Sequence, residues 1–408
     1  MAYPSNTNKR VFYATQAVAV GDMGGTSVID SVGQSNTING SGKLMIAHGL
    51  QSIGVNTNFN LEQIFELGQL SLYENYEEVP EIEVSFEKVL DGYTLMYHAG
   101  TVRSTSPTLT GRGSARADVR MAVGFDTRDY MATGVGTEGN SGVAELYCSG
   151  MYISSVSYNL GTDGNFTEST TFVGNDKQWF TGNDNGGVLA DANGQLNDAL
   201  GTGVFGSDSP VGVGNSVLRR QNVVIGSTGR SYGTTTFKTE IPNIIEGGSA
   251  GSLTNSKNII EGSGPYLQSL SISCDLGREN IQQLGKKAPY YRYVSFPVDV
   301  TCDIEVTATA GDNVDAYEEG RPSAGDGIAA GKNLKDHSIQ IVLDDSTVFQ
   351  LGKKNKLTSI TYGGGDAGGG NATISYSFTN SNDFVVLHSG DPIALTKSTS
   401  NYWKNHFA

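Results

Sequence analysis

The chain has 408 residues, a formal net charge of −15 at pH 7, only 17% charged residues, and 54 glycines against 10 prolines. This acidic balance excludes tight binding to nucleic-acid phosphates or to an anionic membrane, because both need a basic surface. The length is enough for two domains with cores, and the abundance of Gly, Ser, Thr and Asn predicts many short strands joined by turns.

The first ten residues are polar and predict a flexible arm. The N-terminus carries no apolar leader segment, and no stretch approaches the roughly 18 apolar residues of a membrane span. Three cysteines, Cys148, Cys274 and Cys302, are scattered without CxxC spacing. Their number and spacing predict buried free thiols in preference to a disulfide or a zinc site.

One stretch occurs twice, as Leu50 to Pro80 and as Leu267 to Pro297, with a constant offset of 217 residues and no gap. The two copies share an apolar pattern in the same register. They are also identical at these pairs: Leu50/Leu267, Gln51/Gln268, Ser52/Ser269, Glu62/Glu279, Ile64/Ile281, Leu67/Leu284, Gly68/Gly285, Tyr73/Tyr290, Tyr76/Tyr293 and Pro80/Pro297. We interpret the repeat as an internal duplication.

Each copy begins with a predicted strand, Leu50 to Phe59 in the first. Asn60 then offers a helix N-cap, and Gly68 offers a stop, so the intervening LEQIFEL predicts one or two helical turns. Asp275 and Gly285 offer a similar start and stop in the second copy.

After each copy comes a segment that alternates strictly between apolar and other residues, Glu81 to Val89 and Val298 to Val306. This period of two predicts a half-buried strand with one apolar and one acidic face. The acidic faces carry Glu81, Glu83 and Glu87 in the first segment and Asp299, Asp303 and Glu305 in the second.

A second repeated element is a strand, a Gly-rich turn and a Ser/Thr-rich strand, at Tyr152 to Phe172 and at Lys356 to Phe378. The repeats predict a first module with its N-terminal arm over residues 1–180 and a second module over 258–392. Between them lies a Gly- and Asn-rich insertion and linker, residues 181–257. The tail, residues 393–408, carries Tyr402, Trp403 and Phe407, which we expect to form an arm that docks on a neighbouring subunit.

The sequence contains no GxxxxGK[ST], no HExxH and no complete EF-hand loop. GVGTEG, from Gly134 to Gly139, matches GxGxxG, but a predicted strand and not a helix follows it, so it predicts a hairpin turn. We predict no catalytic, cofactor-binding or metal-binding residues, and no enzymatic activity. Carboxylates on opposing strands could still form a glycosidase pair, and this alternative stays open at the level of sequence.

The second half resembles the major tail tube proteins of tailed bacteriophages. The resemblance rests on DLGRE (Asp275 to Glu279), LGKKAPYYRYV (Leu284 to Val294), FPVDVTCDIEV (Phe296 to Val306) and LTSITYGGGDAGGGNATISYSF. It covers about residues 260 to 390 and, through the repeat, more weakly about 45 to 175. The first copy departs from the pattern, because Leu61 replaces Arg278 and QLSLYENY replaces KKAPYYRY.

This resemblance implies a mainly β protein made of two tandem β-sandwich or barrel modules, each with a short flanking helix. Such chains self-assemble into stacked rings, and two modules per chain predict three chains per pseudo-hexameric ring. The implied partners are the chain itself and the tape measure, terminator and baseplate proteins. Double-stranded DNA would make only transient, non-adhesive contact with it, and no membrane or cofactor is implied.

The protein is then expected in the virion tail after assembly in the host cytoplasm, with the acidic strand faces lining the lumen during genome ejection. An alternative is a secreted or tail-borne carbohydrate-active or receptor-binding β-protein, for which Gly/Thr/Asn-rich strands would serve equally well.

Overall fold

The computed structural model describes residues 15–25, 27–29, 43–68, 70–104, 106–124, 143–181, 187–189, 217–225, 229–232, 235–242, 244–245, 266–307, 314, 336–364 and 371–388. The described chain is mainly β, as predicted from composition and periodicity. The predicted N-terminal arm, residues 1–10, and the aromatic tail with Tyr402, Trp403 and Phe407 lie outside these residues.

The main feature is an antiparallel sheet, called here the long sheet. Its strands follow one another in the order β4 (Leu50–Asn58), β7 (Glu81–Val89), β10 (Thr167–Gly174), β9 (Val143–Gly161), β14 (Tyr266–Asp275), β17 (Asp299–Thr307), β21 (Thr373–Ser381) and β20 (Lys356–Gly363).

Strand β9 is long enough to take part in a second, side sheet through its N-terminal half. That sheet has the order β2 (Ser27–Ile29), β3 (Lys43–Ile46), β1 (Thr15–Asp22), β8 (Ala117–Gly124), β9 and β11 (Asp176–Thr181). A three-stranded sheet of β18 (Gln340–Val342), β19 (Val348–Gln350) and β22 (Val385–Leu387) follows in the second half.

The remaining elements are small. They are the hairpins β5 (Leu61–Phe65) with β6 (Leu72–Glu77), β12 (Arg230–Tyr232) with β13 (Thr235–Phe237) and β15 (Arg278–Ile281) with β16 (Tyr291–Val294), the helices α1 (Met96–Ala99) and α2 (Leu109–Arg112), and a 3-10 turn (Arg220–Asn222).

The prediction of a helix over LEQIFEL is wrong, and so is its counterpart in the second copy. Both segments are strands of hairpins, in which Glu62 lies opposite Tyr76 and Glu279 opposite Tyr293. Asn60 has a φ of +42°, a left-handed conformation that reverses the chain, whereas an N-cap residue needs extended dihedral angles. The flanking helix expected at these positions is therefore absent from both.

The first four strands of the long sheet, called the first unit, repeat in the last four, called the second unit. Counterparts stand in the same order: β4 and β14, β7 and β17, β10 and β21, β9 and β20. Both units have a bulge at the same glutamine, Gln51 or Gln268, whose side-chain amide donates to the carbonyl two residues before it at 3.3 and 3.4 Å. A second bulge also recurs, in the pairing of β9 with β10 and of β20 with β21.

The core lies against the apolar face of the long sheet and is shared by both halves. Tyr158 of β9 packs against Phe349 of β19, with ring centroids 4.6 Å apart. Part of the predicted insertion and linker packs into this core. Leu218 is buried, and its backbone N–H donates to the Leu90 carbonyl at 2.7 Å. The three cysteines are buried free thiols, as predicted.

Helix α1 is anchored to the sheet by one buried carboxylate. Glu168 accepts the backbone N–H groups of Met96 and Tyr97, at 2.8 and 3.0 Å, and the hydroxyl of Tyr158 at 3.0 Å. Burial raises the pKa of Glu168, and the backbone donors act in the opposite direction. This contact fixes the short helix over the core side of β10.

Candidate functional surface

The second face of the long sheet is polar across all its strands. In β7 and β17 the predicted alternation is confirmed, because the apolar residues of both strands are buried while Glu83, Glu87, Asp299 and Asp303 are exposed. Glu81 and Glu305 on the same face are half-buried. The side chains are thus sorted as a period of two requires.

Cross-strand pairing extends this acidic pattern into a wide surface, which we call the polar face. Its hydroxyl and amide residues are Ser52, Asn56, Asn58, Ser85, Ser155, Ser157, Asn159, Thr167, Ser169, Thr171, Ser269, Ser271, Ser273, Thr301, Thr307, Ser359, Thr361, Thr373, Ser375, Ser377, Thr379 and Ser381. Its carboxylates are Glu81, Glu83, Glu87, Asp275, Asp299, Asp303 and Glu305.

Hydroxyl groups from neighbouring strands hold several of these carboxylates. Ser52 donates to Glu87 at 3.3 Å, and its counterpart Ser269 donates to Glu305 at 2.9 Å. Ser271 donates to Asp303 at 3.4 Å and Ser381 to Asp299 at 3.3 Å. The carboxylates therefore stand in fixed rows among neutral hydroxyls.

Positive charge is scarce on the polar face. Among its described positions the cation is Lys356 of β20, whose ammonium lies 2.6 Å from the Asp336 carboxylate beside the sheet. At the other margin Arg292 of β16 contacts the Glu81 carboxylate at 2.9 Å, so Glu81 is partly neutralised. Among the described residues, a duplex near the centre of this face would meet carboxylates and hydroxyls and no row of cations to bind its phosphates.

Both outer edges of the long sheet are open within the described chain. Strand β4 pairs with β7 on one side, and β20 pairs with β21 on one side. Most residues of both edge strands are exposed. Such long edges are templates for pairing with another strand.

Exposed apolar side chains concentrate on the two hairpins that follow β4 and β14. Leu67, Leu70 and Leu284 at the hairpin tips are fully exposed, and Phe59 and Leu61 are 60% and 63% exposed. Large apolar side chains exposed in such numbers on short elements are typical of interaction sites. The capping pattern of the sequence predicts a helix here, so it gives no sign that these hairpins are contact elements.

Sequence reasoning also missed the breadth of the polar face. It identified the carboxylates of β7 and β17 but not Asp275 or the hydroxyl rows that lie beside them. The signal was present, because TESTTF and TISYSF alternate as strictly as the acidic strands do. The alternation does not show which strands are neighbours in the sheet, so the width of the polar face could not be predicted from it.

A scan against protein-family models finds no match, and a search of curated proteins finds none either. The described residues include no helix that is both long and apolar enough to cross a membrane, and no group of three or more potential metal ligands.

Proposed function

We propose that this chain is a major tail tube subunit, a virion structural protein whose rings stack into the conduit for genome delivery. In this proposal the first and second units are the inner sheets of two tandem β-sandwich modules. The side sheet and the β18-β19-β22 sheet form their outer layers. Assembly takes place in the host cytoplasm, and the tape measure, terminator and baseplate proteins are the other partners.

The single observation that carries the proposal is the polar face, an acidic and hydroxyl-rich surface that runs unbroken across both units. Turned inward, such a wall keeps water and counterions between itself and the phosphates. Its described residues also present no row of cations that would arrest a moving duplex. Neutral Ser or Thr residues would suit an exposed strand face equally well. The presence of carboxylates there therefore supports a function that depends on negative charge.

Dimensions agree with three chains per ring. Three long sheets supply about 24 strands, which at about 4.7 Å each give a circumference of about 113 Å, and a tilt near 40° widens the diameter to about 47 Å. After subtraction of side chains, this still passes a DNA duplex of roughly 20 Å. Half as many strands would leave no clearance.

Negative-stain electron microscopy of the purified chain tests the proposal. We expect hollow rings or tubes that form without any substrate. A compact monomer or trimer that binds or cleaves glycans would instead favour the carbohydrate-active or receptor-binding alternative.

A further inference from the structure

The long sheet contains in its middle a junction that its two outer edges lack among the described residues. Strand β9, the last of the first unit, pairs antiparallel with β14, the first of the second unit. The counterparts of these two strands are β20 and β4, which form the open edges of the described sheet. A contact between β20 and β4 would reproduce a junction that the fold already uses.

We propose that β20 of one copy pairs with β4 of a second copy, antiparallel and in the register that joins β9 to β14. The register follows from the repeat, in which β14 and β4 differ by 217 positions and β9 and β20 by 204. It places Gly54 opposite Gly363, Val55 opposite Tyr362, Asn56 opposite Thr361, Thr57 opposite Ile360 and Asn58 opposite Ser359. The offset of 204 is supported by the shared bulge, which falls at Ser154 in β9 and at Thr358 in β20.

Burial at the existing junction agrees with this pairing. Leu276, which follows β14, is 2% exposed and donates its N–H to the Ser154 carbonyl at 2.8 Å. Its counterpart Phe59, which follows β4, is 60% exposed. The exposed apolar residue at the free edge is thus one whose counterpart is already buried where the two units meet.

The hairpins β15–β16 and β5–β6 also occupy equivalent positions, but the residues that would make the equivalent contacts differ. Arg278 of β15 donates to the Ile153 carbonyl at 2.6 and 2.8 Å, and Tyr291 packs edge-on against Tyr152 at 5.8 Å. Between chains the counterparts of these two contacts are Leu61 with Leu357 and Glu74 with Lys356.

The contact between chains therefore pairs two leucines and two opposite charges, whereas the contact within the chain uses a half-buried guanidinium and an aromatic pair. This difference disfavours exchange of the two junctions, because Leu61 cannot satisfy the carbonyls that Arg278 binds. A head-to-tail contact of this type builds a closed ring when its rotation closes. Closure at three chains rests on the proposed function, whereas the pairing itself does not.

Disulfide trapping tests the register. Asn56→Cys with Thr361→Cys places the two cysteines opposite one another between copies, within the Cα separation that a disulfide needs. Ser52→Cys with Thr361→Cys is the matched control, because Ser52 lies four residues along β4, about 13 Å from Asn56. The native thiols do not interfere, since burial raises the pKa of Cys148 and Cys274 to about 12 and raises that of Cys302 further.

After oxidation of the assembled protein with diamide, N56C/T361C should give covalent dimers and trimers in at least about tenfold higher yield than S52C/T361C. Equal yields, or a higher yield from the control, would overturn the register. If the wild-type and N56C/T361C chains form tubes and neither pair cross-links, the β20–β4 contact is wrong while the proposed function stands. If the wild-type chain stays monomeric at every concentration, both fail.

A second pair of variants tests the hairpin contact without cysteine chemistry. Phe59→Asp with Leu61→Asp should leave the monomer folded, because both side chains are exposed, and should lower the fraction assembled at least about tenfold. The control is Ile225→Asp, which alters a 46% exposed apolar residue outside this edge. Normal assembly of F59D/L61D with an unchanged thermal unfolding profile would contradict the proposal.

Discussion

Reversing the charge of the polar face should convert a non-adhesive surface into one that holds DNA. The substitutions are Glu83, Glu87, Asp299 and Asp303 to Lys. All four side chains are exposed, and the hydrogen bonds that Glu87, Asp299 and Asp303 accept are long, at 3.3 to 3.4 Å. Each change should therefore alter the free energy of unfolding by no more than about 0.5 kcal/mol. A matched variant with Gln and Asn at these positions removes the charge without adding cations.

The effect on DNA follows from counterion release. Three chains place twelve new lysines around one ring, and about four of them in contact with phosphates give a slope of log affinity against log salt of about −3.6. Raising the salt concentration from about 50 mM to about 200 mM should then lower the affinity of the tube for DNA about 150-fold. The wild-type and the neutral variant should retain none at either salt concentration.

The assay is cosedimentation of assembled tubes with a labelled linear duplex and with a covalently closed circle of the same sequence. Only the linear molecule can thread a tube, so tubes of the lysine variant should retain it at low salt and leave the circle in the supernatant. Equal retention of the circle would show that the polar face points outward. Lysine-variant tubes that retain neither molecule at low salt would show that these four positions do not line the lumen.

Three further predictions concern stability, each measured by urea unfolding. Glu168→Ala should lower the free energy of unfolding by about 3 kcal/mol or more, because three buried donors lose their acceptor; Glu168→Gln, which keeps one oxygen, should lose less, and equal losses would contradict this. Burial, and then the Lys88 ammonium, lowers the pKa of His48 from 6.5 to about 4. Between pH 6.5 and 4 the His48 imidazole is protonated in the unfolded chain but not in the folded one. The free energy of unfolding should therefore fall by at most about 3 kcal/mol as the pH drops from 6.5 to 4. His48→Gln should lose this component, and an unchanged pH profile would refute the assignment. Arg278→Leu should lower the free energy of unfolding by about 2 kcal/mol, because it leaves the Ile153 and Gly113 carbonyls without the half-buried guanidinium that donates to them; a loss below about 0.5 kcal/mol would contradict this.

Strict alternation made the two acidic strands readable from sequence. Ile82, Val84 and Phe86 are buried and Glu83 and Glu87 exposed, because a strand against a core has only two sides for its residues. The same argument predicted the apolar and acidic sides of β17. The local pattern is enough to predict which side chains of a strand are buried wherever one face of the strand packs against a core.

Local pattern failed where a distant segment decided the conformation. Capping signals around Asn60 favoured a helix, but such propensities are worth only a few tenths to about 1 kcal/mol, and pairing with β6 overrides them. The same limit hid the junction between β9 and β14, since nothing in either strand specifies which edge it meets.

The alignment of the two copies changes by one residue in the strands that follow them, β7 and β17, and only the structure shows this. The offset of 217 holds through Pro80 and Pro297, but extended into the next strand it would align the buried Val84 with the exposed Thr301. Pairing with the adjacent strands aligns Val84 with Cys302 instead, at an offset of 218. One residue of difference in the preceding turn is invisible in an ungapped comparison of the two copies, yet it decides which face each side chain occupies.

In the proposed tube, three copies of this chain close a ring whose wall is the polar face. A helical reconstruction of tubes assembled from the full chain by electron cryomicroscopy measures both the number of chains and the identity of the inner strands. We expect threefold rings with about 24 inner strands and with Glu83, Glu87, Asp299 and Asp303 facing the lumen. Six full chains per ring, or these carboxylates on the outer surface, would contradict it.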